Sequence, residues 1–345
     1  MKNETRIKFE GFTTQVATLN GVPDASKTFA VTPSVQQKLE SKIQLSSEFL
    51  QKINMPGVTE LEGEKLGLGV IGTIAGRTNT KNGPRKPRNV ADLSSGRYRC
   101  VQTNFDTAYP YALLDMWAKF PDFQTRLRDA IMAQQALDRI MIGFNGLTSA
   151  ADTDREAHPL LQDVNTGWLQ HYRVDAPARV MHEGVKDSGK IKIGAGGDYA
   201  NLDALVYDAV NSLIDVQFRQ DPGLVVILGD DLLADKYFPI LNKDNPPTEQ
   251  LASDLVISQK RIGGKPAITV PFFPANTLLI TKLSNLSLYY QEGGRRRHLR
   301  EEPDFDQIAN YESSNDAYVV EVYEAGCLIE NITVAAGAPD LHGAA

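Results

Sequence analysis

Gly67, Gly69 and Gly72 in the run GLGVIG satisfy the spacing GxGxxG, which in a dinucleotide-binding domain lets a helix N-terminus hold a pyrophosphate. The flanks argue against that chemistry. The charged run ELEGEK precedes the motif where a buried strand is required. TIAGRTNTKNGP follows where a helix should begin, and Gly76, Gly83 and Pro84 break any helical run there. Asp230 and Asp231 follow an apolar strand and invite a reading as paired catalytic carboxylates, yet an N-cap plus a first-turn acid accounts for both. The five histidines, His158, His171, His182, His298 and His342, contain no pair at ligand spacing. Cys100 and Cys327 are far apart and belong to no CxxC, so they read as reduced core thiols. Nucleophile elbows, Walker loops, HExxH and EF-hand loops are absent, so these patterns point to no catalytic residue, metal or cofactor.

Two basic clusters and one aromatic cluster remain. Arg77, Lys81, Arg85, Lys86 and Arg88 share one polar stretch, and Arg295, Arg296, Arg297 and Arg300 surround His298. Each cluster reads either as a solvated face or as a salt-bridged contact with an acidic neighbour, with occasional phosphate contact. Trp117, Phe120 and Phe123 open the strongest helical pattern with a single lysine, Lys119, among them, which favours anchoring in the core over stacking on bases. The net charge of -7 argues against a dedicated nucleic-acid binder.

The elements that must position these residues belong to an ordinary globular chain of 345 residues, 42% apolar and 23% charged. No run approaches the ~20 apolar residues of a membrane span, and the start MKNETRIKFEGF has no apolar signal-peptide core, so a cytoplasmic chain without membrane contact is expected. Phe9, Phe12, Val16 and Leu19 recur at helical spacing ahead of the turn Asn20-Gly21-Val22-Pro23, giving a short amphipathic helix on a leash. A second helical pattern covers 33–53. The stretch 63–106 mixes strand formers with glycines around a polar tip at 78–88, and reads as a long two-stranded arm. An isolated hairpin is marginal in water, so the arm is expected to dock on a neighbouring subunit.

The strongest helical pattern runs over 121–144, with Phe123, Leu127, Ile131, Ile140 and Phe144 on its apolar face and Arg126, Asp129, Asp138 and Arg139 on the flanks. At 1.5 Å per residue it spans roughly 35 Å and can serve as a spine. Beyond it come a short helix around Trp168, a Gly-rich connection at 184–197, an amphipathic helix over 202–213 capped by Asn201, and an apolar strand at 224–228. A hairpin turning at Gly263-Gly264 and strands at 277–281, 286–290, 318–323 and 327–334 complete an α+β domain with a dispensable tail.

Several blocks in these elements are familiar: LLDMWAKFPDFQTRLRDAI (113–131), IMIGFNG (140–146), LQDVNTGWLQHYRVDAPARVM (161–181), GGDYANLDALVYDA (196–209), LADKYFPILNK (233–243) and SQKRIGGKPAITVPFFPA (258–275). They resemble the major capsid proteins of Peduovirus-type (P2-like) tailed bacteriophages, and the similarity runs from about residue 4 to 334. The resemblance implies an HK97-like fold: a scaffolding-like segment at 1–29, an N-terminal arm at 30–62, an extended loop at 63–106, a peripheral domain with the spine helix at 107–197, an axial domain at 198–300, return strands at 301–334 and a flexible tail at 335–345. It implies hexamers and pentamers that close into an icosahedral head around double-stranded DNA, with an internal scaffolding protein, a maturation protease and a portal protein as partners. Assembly in the host cytoplasm and residence in the virion follow. The matching place for proteolytic maturation is KTFAVTPS, with cleavage between Phe29 and Ala30. The alternative reading is a cytosolic α/β enzyme that uses the loop Gly67–Gly72 for a nucleotide. A third is a nucleic-acid-binding protein that uses the two basic clusters.

Overall fold

The computed structural model describes residues 1–65, 75, 77–81, 84–85, 96–117, 120, 123–229, 231–233 and 260–334. GLGVIG, Lys86, Arg88, Asp230 and the tail lie outside that range, as do the side chains of Trp117 and Phe123.

The chain opens with helix α1 (Asn3–Asn20), strand β1 (Phe29–Ala30), helices α2 (Pro33–Leu45) and α3 (Glu48–Lys52), and strands β2 (Gly57–Val58) and β3 (Glu62–Glu64). Next among the described elements come β4 (Arg97–Arg99), β5 (Val101–Asn104), β6 (Thr107–Pro110), helix α4 (Tyr111–Trp117) and the spine α5 (Phe123–Asn145). Helix α6 (Trp168–Asp175), β7 (Val180–Met181) and β8 (Ile191–Ile193) lead to α7 (Leu202–Leu213), α8 (Val216–Arg219) and β9 (Leu224–Leu228). The remainder is strand: β10 (Arg261–Ile262), β11 (Lys265–Thr269), β12 (Leu278–Lys282), β13 (Leu286–Gln291), β14 (Arg296–Glu302), β15 (Gln307–Val320), β16 (Cys327–Ile329) and β17 (Ile332–Val334).

Two sheets organise these pieces. The first runs β1-β14-β15-β13-β2, with β5 and β6 also paired to β15, and the second runs β10-β11-β9-β12-β16-β7. The chain leaves the second sheet at Leu283–Asn285 and re-enters it at β16, so residues 286–302 belong to the first sheet and not with 198–282. A division of the chain at residue 300 therefore cuts through β14.

Strand β9 is LVVIL because both of its faces are covered. Leu224, Val226 and Leu228 face the α7 cluster, while Val225 and Ile227 face the cluster built on α5 and α6, following the two-residue period of a strand. Helix α7 starts where the Asn201 side chain accepts from Ala204 N–H at 2.9 Å, and it buries Leu202, Leu205, Val206, Ala209 and Val210. Gly263 and Gly264, both at positive φ, make the two-residue turn of the β10–β11 hairpin.

The main core centres on Trp168. Phe49, Phe144 and Tyr318 pack around its ring, and its indole N–H donates to Ser287 O at 2.9 Å. A Cβ on Gly143 would fall 2.2 Å from that ring, so the spine meets α6 only because residue 143 is glycine. No described helix is long and apolar enough to cross a membrane.

Candidate functional site

Helix α1 ends at Gly21, whose positive φ permits a Schellman cap: Gly21 N–H reaches Thr18 O and Val22 N–H reaches Ala17 O. The chain then turns back along β14. Ala25 O accepts from Leu299 N–H, Phe29 and Ala30 pair with Arg297 and Arg296, and Val31 N–H donates to Arg295 O. Strand alternation turns Phe29 inward among Val16, Ala17, Ala25, Val31 and Leu299, and leaves Ala30 exposed. Phe12 lies under the Arg297 guanidinium at 5.9 Å, and Phe9 is half-buried. Leu19, assigned to the same face by spacing, is 60% exposed. Arg6 makes a bidentate pair with Glu301, which also accepts from Tyr111 OH at 2.9 Å. The first 31 residues thus form a strap seamed along β14. Beneath α1 lies a cavity of about 670 Å³, lined by Val35, Leu39, Leu127, Ile131 and Met132 among others. Phe120, expected as a core anchor, is 59% exposed at its rim.

Where the strap ends, a buried ion cluster begins. Arg295 is fully buried and does not share the surface with its neighbours; this corrects the basic contact cluster. It donates to Glu40 at 2.6 Å, to Glu312 at 2.7 and 2.9 Å, and to Gln135 at 2.9 Å. Arg139, placed on a flank of the spine by its charge, instead points inward with no exposure. It holds Glu40 at 2.5 Å and Asp316 at 3.0 Å. Burial works to push the Glu40 carboxyl up, but the two guanidiniums hold it below the usual carboxylate range. Burial likewise opposes Glu312, which Arg295 and Arg297 bring below its ordinary value. Asp316 goes the other way: burial, with Glu40 close by, pushes it up in spite of Arg139. Two cations facing three carboxylates explain the split. Arg296 is exposed, Arg297 donates to Asn310 Oδ1 at 2.8 Å, and the 55% exposed Arg300 pairs with Glu302, whose carboxyl Gln307, Tyr311 and Arg300 hold down at about 2.

The base of the arm is the third part. Strands β3 and β4 pair antiparallel, with Glu62 opposite Arg99 and Glu64 opposite Arg97. Tyr98 turns inward onto Tyr289, with ring centroids 5.1 Å apart. Lys65 reaches back to Val320 O at 2.8 Å and sits 4.2 Å from the centre of the Tyr323 ring; burial lowers its pKa. The segment ahead of GLGVIG is therefore one exposed strand of a charged hairpin, not the buried parallel strand that a dinucleotide loop requires. Arg77, Lys81 and Arg85 are exposed beyond this base.

Neither cysteine is accessible; both are buried and unpaired, with Cys100 pushed up by burial to about 12. His171 pairs with Asp175 at 3.0 Å, His298 lies against Tyr311, and no described group of three potential ligands could hold a metal. Asp231 accepts from Asn276 N–H at 3.0 Å, a structural use of that carboxylate.

A spine helix across a β-sheet, a second sheet beyond it and an N-terminal strap followed by the paired strands β3 and β4 match the HK97-like fold of phage capsid subunits. The family model for "Phage major capsid protein, P2 family" matches residues 8–332. The chain is 52% identical over 342 residues to the capsid protein of Escherichia phage P2, covering 97% of this chain and 96% of that protein. It is 44% identical to the major capsid protein of Serratia phage KSP20, covering 97% and 98%. It also superposes on a chain of the satellite phage P4 procapsid that includes the size-determination protein, with TM-score 0.82 and 50% identity over 97% of this chain and 99% of that one. The chain belongs to the P2 family of phage major capsid proteins.

Proposed function

We propose that the chain assembles first into a procapsid as hexamers and pentamers, and that these close into an icosahedral head around double-stranded DNA. An internal scaffolding protein, a maturation protease and a portal protein act during assembly in the host cytoplasm. The observation that carries this reading is the end-to-end likeness to a procapsid chain, at TM-score 0.82 and 50% identity. The charged β3–β4 base supports an arm whose far end, with Arg77, Lys81, Arg85, Lys86 and Arg88, overlaps an adjacent subunit. Exposed Arg296 and Arg300 supply contacts to acidic neighbours or to phosphates. Cleavage between Phe29 and Ala30 then removes residues 1–29 of the strap.

Negative-stain microscopy of the chain co-expressed with its scaffold tests the assembly: closed shells of uniform size are expected, and a small closed oligomer would overturn it. Intact-mass measurement of chains from DNA-filled heads tests the processing. A dominant species beginning at Ala30 is expected, and full-length chains there would end that part of the proposal.

A further inference from the structure

The bond assigned to maturation is not on an open leash. Phe29 and Ala30 are the edge strand of the first sheet, and Phe29 is only 8% exposed. A protease takes its substrate as an extended strand, reading main-chain groups and alternate side chains. In β1 the main chain is paired to β14, and the side chain ahead of the scissile bond is buried among Val16, Ala25 and Leu299. From Ala25 to Val31 each turn of the strap is fastened: Ala25 O to Leu299 N–H, β1 to Arg296 and Arg297, and Val31 N–H to Arg295 O. The helix that anchors this stretch is held at separate points: Lys2 N–H donates to Asp115 at 2.8 Å, Arg6 pairs with Glu301, and Val16 and Ala17 are buried with Phe29. A cavity of about 670 Å³ separates it from the spine, Ile7 and Leu19 are exposed, and α1 has no side-chain N-cap. Because Val16 and Ala17 of α1 and Phe29 of β1 share one apolar cluster, the helix and the strand open as a unit, not residue by residue.

Resting on the processing proposed above, we infer that the docked strap is an autoinhibitory contact: pairing of β1 with β14 masks the Phe29–Ala30 bond in the folded subunit, and cleavage waits on release of α1 and β1 together. Cleavage makes the release permanent. It leaves a charged amino group on Ala30 opposite Arg296 and removes Phe29 from its pocket.

An aromatic-directed protease probes the mask without the phage enzyme. Full-length subunit and a free peptide covering residues 25–35 are digested with chymotrypsin, and cuts after Phe29 are timed by mass. Cleavage in the subunit is expected at least tenfold slower than in the peptide; equal rates would overturn the inference. Val16→Asp, which alters the strap and not the body, should bring the rate up at least fivefold, because such cleavage follows the population of the open form. Arg6→Glu should raise it severalfold and Arg6→Glu/Glu301→Arg should restore protection, whether or not Val16→Asp keeps its fold. If none of the strap variants changed the rate, β1 would not be what protects the bond. Chain masses from mature heads report separately on processing, so the two readings fail independently.

Discussion

Arg139 and Arg295 donate to one carboxylate: Glu40 accepts from the first at 2.5 Å and from the second at 2.6 Å, and all three side chains are buried. Glu40 sits on α2, Arg139 on the spine and Arg295 at the head of β14, so a single carboxylate fastens the N-terminal arm helix to the spine and to the first sheet. Arg139→Ala leaves Asp316 without its guanidinium partner and Glu40 with one partner instead of two. Breaking a buried pair in this way costs about 3–5 kcal/mol, a large part of the 5–15 typical of a domain. Urea unfolding of the isolated subunit should show that loss, while Arg300→Ala, on an exposed side chain, should leave the midpoint unchanged.

The same cluster sets an acid limit. Glu40 and Glu312 are held below the ordinary value of 4.5, so the stability they contribute is fully present above 4.5 and is lost as pH falls through their folded values. Asp316 is raised above 3.8, so its contribution has the opposite sign: present below 3.8, and lost as pH rises through its folded value. Glu312→Gln should therefore lower Tm at pH 7 by several degrees and by less at pH 3, below the ordinary value of 4.5, where the wild-type carboxylate gives up part of its advantage. An equal drop at both pH values would mean that Glu312 acts through packing alone.

The cluster was also the hardest part to read from the sequence. In β15 the inward residues are Asn310, Glu312, Ser314 and Asp316, so the two-residue alternation is present with its polarity reversed, and only the apolar end near 318 reads as strand. Strand β14, RRHLREE, fails to read as strand for the same reason: its charges find partners across the sheet and in the strap. By contrast α5, α7, β9, β12 and the β10–β11 hairpin were legible, because their patterns are apolar with ordinary caps and turns. Glu40 and Arg139 did leave a signal. Each is a charge inside an otherwise apolar helical stripe, beside Leu39 and Ile43 in one case and Ala136 and Ile140 in the other, which marks a buried ion pair.

The spine separates two kinds of apolar position. Ile140 is 1% exposed and belongs to the Trp168 core, whereas Leu127 and Ile131 are half-buried and line the cavity beneath α1. Ile140→Asp should abolish soluble expression, since an unpaired buried charge costs several kcal/mol. Leu127→Asp should leave a folded body with a detached strap, seen as faster proteolysis ahead of residue 31 with little change in Tm. Loss of folding at both positions would place Leu127 in the core.

Deleting residues 78–90 removes the far end of the arm and leaves the β3–β4 base, with Tyr98 on Tyr289 and Lys65 on Val320 O, in place. The subunit should melt within a few degrees of wild type while shell closure fails, because the deleted residues would contribute only to contacts between chains. A larger drop in Tm would make the arm part of the subunit core.

Removing residues 1–29 tests whether the strap is a module. The truncation takes away Val16, Ala17, Ala25 and Phe29, uncovers Leu299 and Val31, and breaks the Arg6–Glu301 pair. It leaves the cluster beneath α7 untouched, and of the Trp168 cluster and the ion network it uncovers only the members that line the cavity under α1, Met132, Gln135, Arg295 and Glu312 among them. Exposing Leu299 and Val31 costs about 1.5–3 kcal/mol each, roughly 3–6 together, toward the low end of the 5–15 typical of a domain. The shortened chain should therefore fold with near-native circular dichroism and a modestly lower Tm, and should still fail to give shells of correct size when co-expressed with its scaffold. Shells of normal size and yield would show that the strap is dispensable for assembly, and an unfolded product would show that it belongs to the core.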